Sequence, residues 1–209
     1  MLKRPFSFNN FFFFGWMIFT VLLIVLLLAF PKPATFILLN YIHHPALDYF
    51  FRFMTFLGDG IFVVALSLLL LLFRQWRLAV LIMAGYALSG LCVQALKHYV
   101  NMPRPFLYFK HGGYTKFPLH VELHSIYSFP SGHTATAFAL YGLLSFSIRK
   151  KEYSILFLIV AVLTAYSRIY LGQHFPEDVI AGAALGMLSA IICMKYLMPV
   201  LYKRKTADI

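Results

Sequence analysis

Three short polar segments interrupt an otherwise apolar chain, and together they hold the side chains that can handle a phosphate group. The first, Lys97-His-Tyr-Val-Asn-Met-Pro-Arg104-Pro105, brings two cations. The second, Ser128-Phe-Pro130-Ser131-Gly132-His133, opens a helix and ends on an imidazole. The third, Ser167-Arg168-Ile-Tyr-Leu-Gly-Gln-His174-Phe-Pro-Glu-Asp178, adds a third cation, a second imidazole and a carboxylate. Arg presents a planar fork that matches phosphate oxygens, and Lys adds a point charge. The free N–H groups of a helix start favour an anion, and Gly132 lets the backbone come close to it. Ser131 can cap that helix or give its hydroxyl to a phosphate oxygen. His174 and Asp178 stand four apart and share one face of a helix that begins near Phe175, with Pro176 in its first turn. A carboxylate on one imidazole nitrogen fixes the tautomer and leaves the other free to attack. His133 is the second imidazole; unperturbed histidine titrates near pH ~6.5, so this side chain type can protonate a leaving group. A nucleophile, its orienting acid, a general acid and a cage for negative charge make phosphoryl transfer without a metal.

The elements that must carry these segments follow from composition. Of 209 residues, 61% are hydrophobic and 12% are charged, against about 25% charged in a soluble domain. That rules out a disordered chain and points away from an ordinary soluble enzyme. The formal net charge is +11; on a chain this apolar it points to anionic lipid and membrane orientation rather than to nucleic acid. Cys92 and Cys193 both lie in apolar runs, so no disulfide framework is indicated. The chain reads as all-α, one membrane-embedded domain over residues 1–209 with six transmembrane helices in one bundle. The spans are Phe11 to Phe30, about Met54 to Phe73, Leu78 to Leu96, about His133 to Ile148, Tyr153 to about Tyr166 extending toward Leu171, and about Val179 to Leu197. The first is an uncleaved anchor, because it is long for a signal peptide and no Ala-x-Ala site follows it. Lys3, Arg4, Arg74, Arg77, Arg149, Lys150, Lys151, Lys195, Lys203, Arg204 and Lys205 fall on one side, predicted cytoplasmic together with both termini. The polar segments fall on the other side. So does the long stretch from Lys97 to Pro130, whose aromatic residues suit a lid on the outer leaflet.

The three blocks Lys97-x6-Arg104-Pro105, Pro130-Ser131-Gly132-His133 and Ser167-Arg168-x5-His174-x3-Asp178 resemble the three-part signature of the type-2 phosphatidic acid phosphatase and vanadium haloperoxidase superfamily. Every signature position is filled over about Ala95 to Gly182, and the six-span layout is similar to the membrane lipid phosphatase branch. The resemblance implies that His174 forms a phosphohistidine, that Asp178 is its partner and that His133 protonates the leaving oxygen. It implies that Lys97, Arg104, Ser131, Gly132 and Arg168 cage the phosphate, that no metal or other cofactor takes part, and that the substrate is a lipid phosphate at the membrane surface.

Other polar residues have plainer readings. Asp59, in Leu57-Gly-Asp-Gly60, is a helix cap or an interfacial polar residue, and Glu177 suits the first turn of the sixth span. His43 and His44 lie in a loop. His120, Glu122 and His124 could suggest a metal site, but the loop supplies no other ligand cluster; His124, near the signature serine, can instead touch a headgroup. Lys110 and Lys116 either guide an anionic headgroup or are solvated surface. Gly182 and Gly186, four apart, mark close helix packing. Undecaprenyl pyrophosphate is favoured among substrates that include phosphatidylglycerophosphate, phosphatidic acid and lipid A, in a bacterial inner membrane with the site on the outer face. A lipid phosphotransferase uses the same intermediate with a lipid acceptor. A transporter or non-catalytic lipid-binding protein is the rival of another class; transporters keep intramembrane charge near the midplane, whereas these charges sit at span ends. Oligomeric state is not legible.

Overall fold

A computed structural model describes residues 10–110, 112–118, 121–148 and 150–202. Lys3, Arg4, Arg149, Lys203, Arg204 and Lys205 of the basic side, and His120, lie outside the described residues. Those described form helices and connecting turns, with no strand: α1 (Asn10–Ala29), α2 (Lys32–Asn40), α3 (Pro45–Phe56), α4 (Gly60–Leu72), α5 (Trp76–Val100), α6 (Pro105–Phe109), α7 (Gly132–Ile148), α8 (Lys151–Tyr170) and α9 (Pro176–Ile192). A π-helical turn, Cys193–Leu197, and α10 (Met198–Tyr202) prolong α9.

Among the described residues, four helical segments are long and apolar enough to cross a bilayer: Phe11–Ala29, Trp76–Phe109, Lys151–Tyr170 and Pro176–Tyr202. The first presents Ile18, Leu22 and Leu28 outward, as a helix surrounded by hydrocarbon does. The stretch expected as one continuous second span is instead two helices, α3 and α4, bent by 56°. The break falls on Gly58-Asp59-Gly60, a turn sequence inside the apolar stretch. Leu57, Gly58 and Asp59 turn tightly, each N–H bonding the carbonyl three residues back, and Asp59 then caps α4 by accepting the Ile61 N–H at 2.8 Å. Residues 31–53, left unassigned by their composition, supply α2 and most of α3. His44, expected in a loop, caps α3 through Nδ1.

The expected fourth span is α7, with 17 residues, or about 25 Å at 1.5 Å per residue, short of a ~30 Å hydrocarbon core. It is the central helix, buried continuously from Thr134 to Leu143, and it packs on α5, α8 and α9. Its closest neighbour is α9, because Gly182 and Gly186 expose bare backbone there. A Cβ on Gly182 would come within 2.5 Å of the Ser131 carbonyl oxygen, and one on Gly186 would press on Ala135 and Ala139 backbone. Small residues allow this approach, as in membrane helix pairs generally. The close fit sets the start of α7 directly against the start of α9.

The stretch from Lys97 to Pro130 is not a free lid. It begins inside α5, folds through α6, and its two limbs are tied by the Arg104 N–H to Ser125 and the Ser128 N–H to Met102 carbonyls, both at 2.9 Å. Phe109, Tyr114 and Phe117 turn inward against Phe36, and Phe109 also faces Phe175. Only part of its aromatic content, Tyr99 above all, faces outward as expected of an interfacial belt.

Candidate active site

The C-terminal ends of α3, α5 and α8 and the N-terminal ends of α4, α7 and α9 meet at one end of the bundle, and all eight residues singled out by the sequence are there. His174 sits in the turn from α8 to α9. Gly172, at φ +67°, reverses the chain, and the N–H groups of Gln173 and His174 both return to the Arg168 carbonyl at 2.9 and 3.1 Å. Phe175 then starts α9, with Pro176 in the first turn. Asp178 Oδ2 accepts the Phe175 N–H at 2.9 Å, so the helix start itself orients the carboxylate. The same oxygen accepts the Ser128 hydroxyl and lies 3.5 Å from His174 Nδ1. The two side chains are 2% and 0% exposed. Burial, and then the positive charges of Arg104, Arg168 and Lys97, hold the His174 imidazole well below its ordinary pKa range, against the pull of the Ser128 backbone. The ring is therefore neutral, as an attacking imidazole must be.

The cations are braced from behind. Arg104 gives Nε to the Ile126 carbonyl at 3.0 Å and Nη1 to the Gln173 side-chain and main-chain oxygens at 3.0 and 3.3 Å. Its Nη2 makes no hydrogen bond among the described residues. Arg168, in the last turn of α8, gives Nη1 to Thr55 Oγ1, while its buried Nε has no partner among the described residues. Lys97, in the last turn of α5, sets Nζ 4.0 Å from where a Cβ on Gly132 would stand. The glycine thus keeps the start of α7 open beside the ammonium group. The Ser131 N–H donates to the Asp178 carbonyl at 2.9 Å, and its buried Oγ accepts the Thr134 hydroxyl at 2.9 Å. Its own proton remains for a phosphate oxygen. His133 Nε2 lies 3.3 Å from Asp59 Oδ2, with both side chains about one-third exposed. Three cations, a helix start and two imidazoles around one spot can hold and transfer a phosphoryl group.

Sequence reasoning missed four contributors: Ser128, Gln173, Thr55 and the second role of Asp59. Ser128 and Gln173 lie inside the quoted segments, beside signature residues, and that adjacency was the available signal. Asp59 is an acid inside an apolar run, which marks function by itself; Thr55 carries no signal. His124 and Lys110 are exposed. Lys116 lies 3.6 Å over the Tyr41 ring, and Glu177 pairs with Lys32. Among the described residues, no three His, Cys, Asp or Glu side chains group as metal ligands do.

The shared end of the bundle has counterparts in known proteins. Lipid A 1-phosphatase of Rhizobium etli is 34% identical over 110 residues, covering 50% of this chain and 45% of that protein, so the chain spans less than half of that relative's length. Lipid A 4'-phosphatase of Bacteroides thetaiotaomicron is 31% identical over 155 residues, 70% of this chain and 68% of that protein. The crystal structure of Aquifex aeolicus LpxE superimposes with a TM-score of 0.66 at 34% identity, covering 79% of this chain and 95% of that one. The PAP2 superfamily model matches residues 78–200, a region that runs from the first turn of α5 through α9 and holds every signature side chain, and the chain belongs to that superfamily.

Proposed function

We propose that this protein is an integral membrane lipid phosphatase, a metal-independent hydrolase that removes the terminal phosphate of a lipid phosphate or pyrophosphate. One observation carries the reading: a buried, neutral His174, with Asp178 Oδ2 3.5 Å from its Nδ1, lies where the charges of Lys97, Arg104 and Arg168 converge. The cations, the Ser131 hydroxyl and the Gly132 end of α7 hold the phosphoryl oxygens. The free His174 nitrogen attacks phosphorus in line; the N–P bond forms and the P–O bond to the lipid breaks, while His133 gives a proton to the departing oxygen. Water then attacks the phosphohistidine, His133 takes its proton, and the N–P bond breaks to release phosphate. Asp178 offsets the positive charge that His174 acquires during attack.

The lipid reading has support beside the site. A groove of about 660 Å³, lined by Asp59, Gly60, Ile61, Val64, Leu68 and Tyr86, leads away from Asp59 between α4 and α5. A second hollow of about 510 Å³ shares Val64 and Leu68 and continues it along Met83 and Ala84. A hydrocarbon tail fits such a path while the headgroup stays at the mouth. The whole chain acts as one domain with six passes, α3 and α4 together forming the second and α7 the fourth. Both termini are cytoplasmic, the site faces the outer side of a bacterial inner membrane, and undecaprenyl pyrophosphate is the first substrate to try. His174→Ala, purified in detergent, is expected to release no phosphate from undecaprenyl pyrophosphate, phosphatidylglycerophosphate, phosphatidic acid or lipid A, whereas the wild type releases it from at least one, with or without EDTA. Undiminished release by the variant overturns the mechanism.

A further inference from the structure

The break between α3 and α4 is held in place more firmly than a helix cap requires. Tyr141 donates its hydroxyl to the Leu57 carbonyl at 3.0 Å, Thr164 donates to Met54 at 3.0 Å, and Arg168 donates to Thr55 Oγ1. Gly58 lies so close to the first turn of α7 that a Cβ there would stand 2.8 Å from the His133 carbonyl oxygen. Bonds from α7 and α8 therefore fix where Asp59 stands. Its carboxylate divides two tasks: Oδ1 caps α4 through the Ile61 N–H, and Oδ2 faces His133 Nε2 at 3.3 Å. Serine or asparagine would cap the helix as well as aspartate does. The turn leaves Asp59 about one-third exposed at the mouth of the site, where its charge reaches both water and the imidazole.

The surroundings of His133 give the acid its purpose. Arg168 from α8, Lys97 from α5, Arg104 from the start of α6 and His174 from the turn before α9 all bear on the ring. A group that must carry a proton, and so a positive charge, stands among three cations. Asp59 supplies a negative charge in contact with it.

We propose that Asp59 is a positioning residue for the general acid: its Oδ2 accepts the His133 Nε2–H, fixes the tautomer and stabilises the imidazolium, so that the opposite nitrogen carries the proton given to the leaving group. In the first step that proton passes to the lipid oxygen as the P–O bond breaks. In the second the same nitrogen takes a proton from the attacking water as the N–P bond breaks. Asp59 stays a carboxylate throughout, and the ring ends the cycle as it began. This rests on the phosphatase reading above.

The leaving group provides the test. An alkoxide from phosphatidic acid needs the proton, whereas nitrophenolate from p-nitrophenyl phosphate leaves without it. Asp59→Asn keeps a cap and removes the charge; it is expected to lower kcat/KM, which reports the step that expels the leaving group, about 100-fold on phosphatidic acid and by under about threefold on p-nitrophenyl phosphate, while hydrolysis of the phosphohistidine, common to both, slows equally. Asp59→Ser, a second capping variant, is expected to give the same split, Asp59→Glu to restore part of the loss, and Asp59→Asn to add nothing to His133→Ala. Equal losses of kcat/KM on both substrates, or no loss on either, overturn the inference and leave the phosphatase reading standing. A wild type that cleaves neither compound nor any lipid of the panel overturns the phosphatase reading, and this inference with it.

Discussion

Two imidazole–carboxylate pairs sit at the same end of the bundle, and they are built in opposite ways. His174 and Asp178 come from one turn and the helix that follows it, and are essentially sealed from solvent. His133 and Asp59 come from separate helices, are about one-third exposed, and meet only because α4 is broken away from α3. The difference matches the work proposed for each. A nucleophile has to be neutral, oriented and dry, and burial among three cations keeps it so. A proton donor that is recharged in every cycle needs access to water, and the mouth of the site provides it.

Removing the nucleophile should have the largest effect. His174→Ala is expected to lower phosphate release at least about 10⁴-fold on every substrate, alkyl or aryl, since both need the same attack. The variant should form no acid-labile phosphoprotein from ³²P-labelled substrate. Asp178→Asn comes next. It keeps a cap for the Phe175 N–H but loses the charge that supports the developing imidazolium, so kcat should fall about 10³-fold on both kinds of substrate. That uniform loss separates it from Asp59→Asn. If Asp178→Asn instead spares p-nitrophenyl phosphate, the two pairs do not divide the labour in this way.

The pH profile sharpens the contrast. Free histidine takes up a proton near pH ~6.5, but His174 is held neutral well below that. As pH falls through ~6.5 the nucleophile is therefore not lost. With p-nitrophenyl phosphate, and after the substrate's own ionisation is divided out, kcat/KM should show no His174 limb near pH 6.5. The same displacement has a folding consequence of fixed sign. The unfolded chain binds that proton at a pH where the folded chain refuses it, so this group makes the native state less stable as pH drops below ~6.5. Thermal unfolding in detergent across pH 7 to 5 should show the midpoint decreasing.

The two pairs also differ in how much of them the sequence disclosed. His174 and Asp178 lie four apart behind a Pro, and local helix geometry alone predicts their meeting. Arg168, Ser131 and Lys97 were legible for the same reason, as members of short blocks at span ends. Asp59 was recognisable as a cap, and it is one; Gly58-Asp59-Gly60 signals a turn, but its nearness to His133 depends on how α4 bends from α3 and packs beside α7, which no local signal sets. Composition likewise marked the long outer-face stretch as a lid. It could not show that Phe109, Tyr114 and Phe117 turn inward, because aromatic rings satisfy either environment. Residues close in sequence reveal their partners, and residues joined by tertiary packing do not.

Ser128→Ala tests the buried pair at its edge and should have the smallest effect. The hydroxyl donates to Asp178 Oδ2, which also takes the Phe175 N–H, while Oδ1 has no partner among the described residues. Deleting one donor to a buried carboxylate weakens its hold by about 1.5–3 kcal/mol, but the helix-start N–H still orients it. Much of that loss is shared with the resting state, so kcat should fall only about tenfold. The reduction should be equal for phosphatidic acid and p-nitrophenyl phosphate, because the hydroxyl acts on the nucleophile's side of the site. A selective loss on phosphatidic acid would place Ser128 with the proton donor instead, and the separation between the closed pair and the open one would then fail.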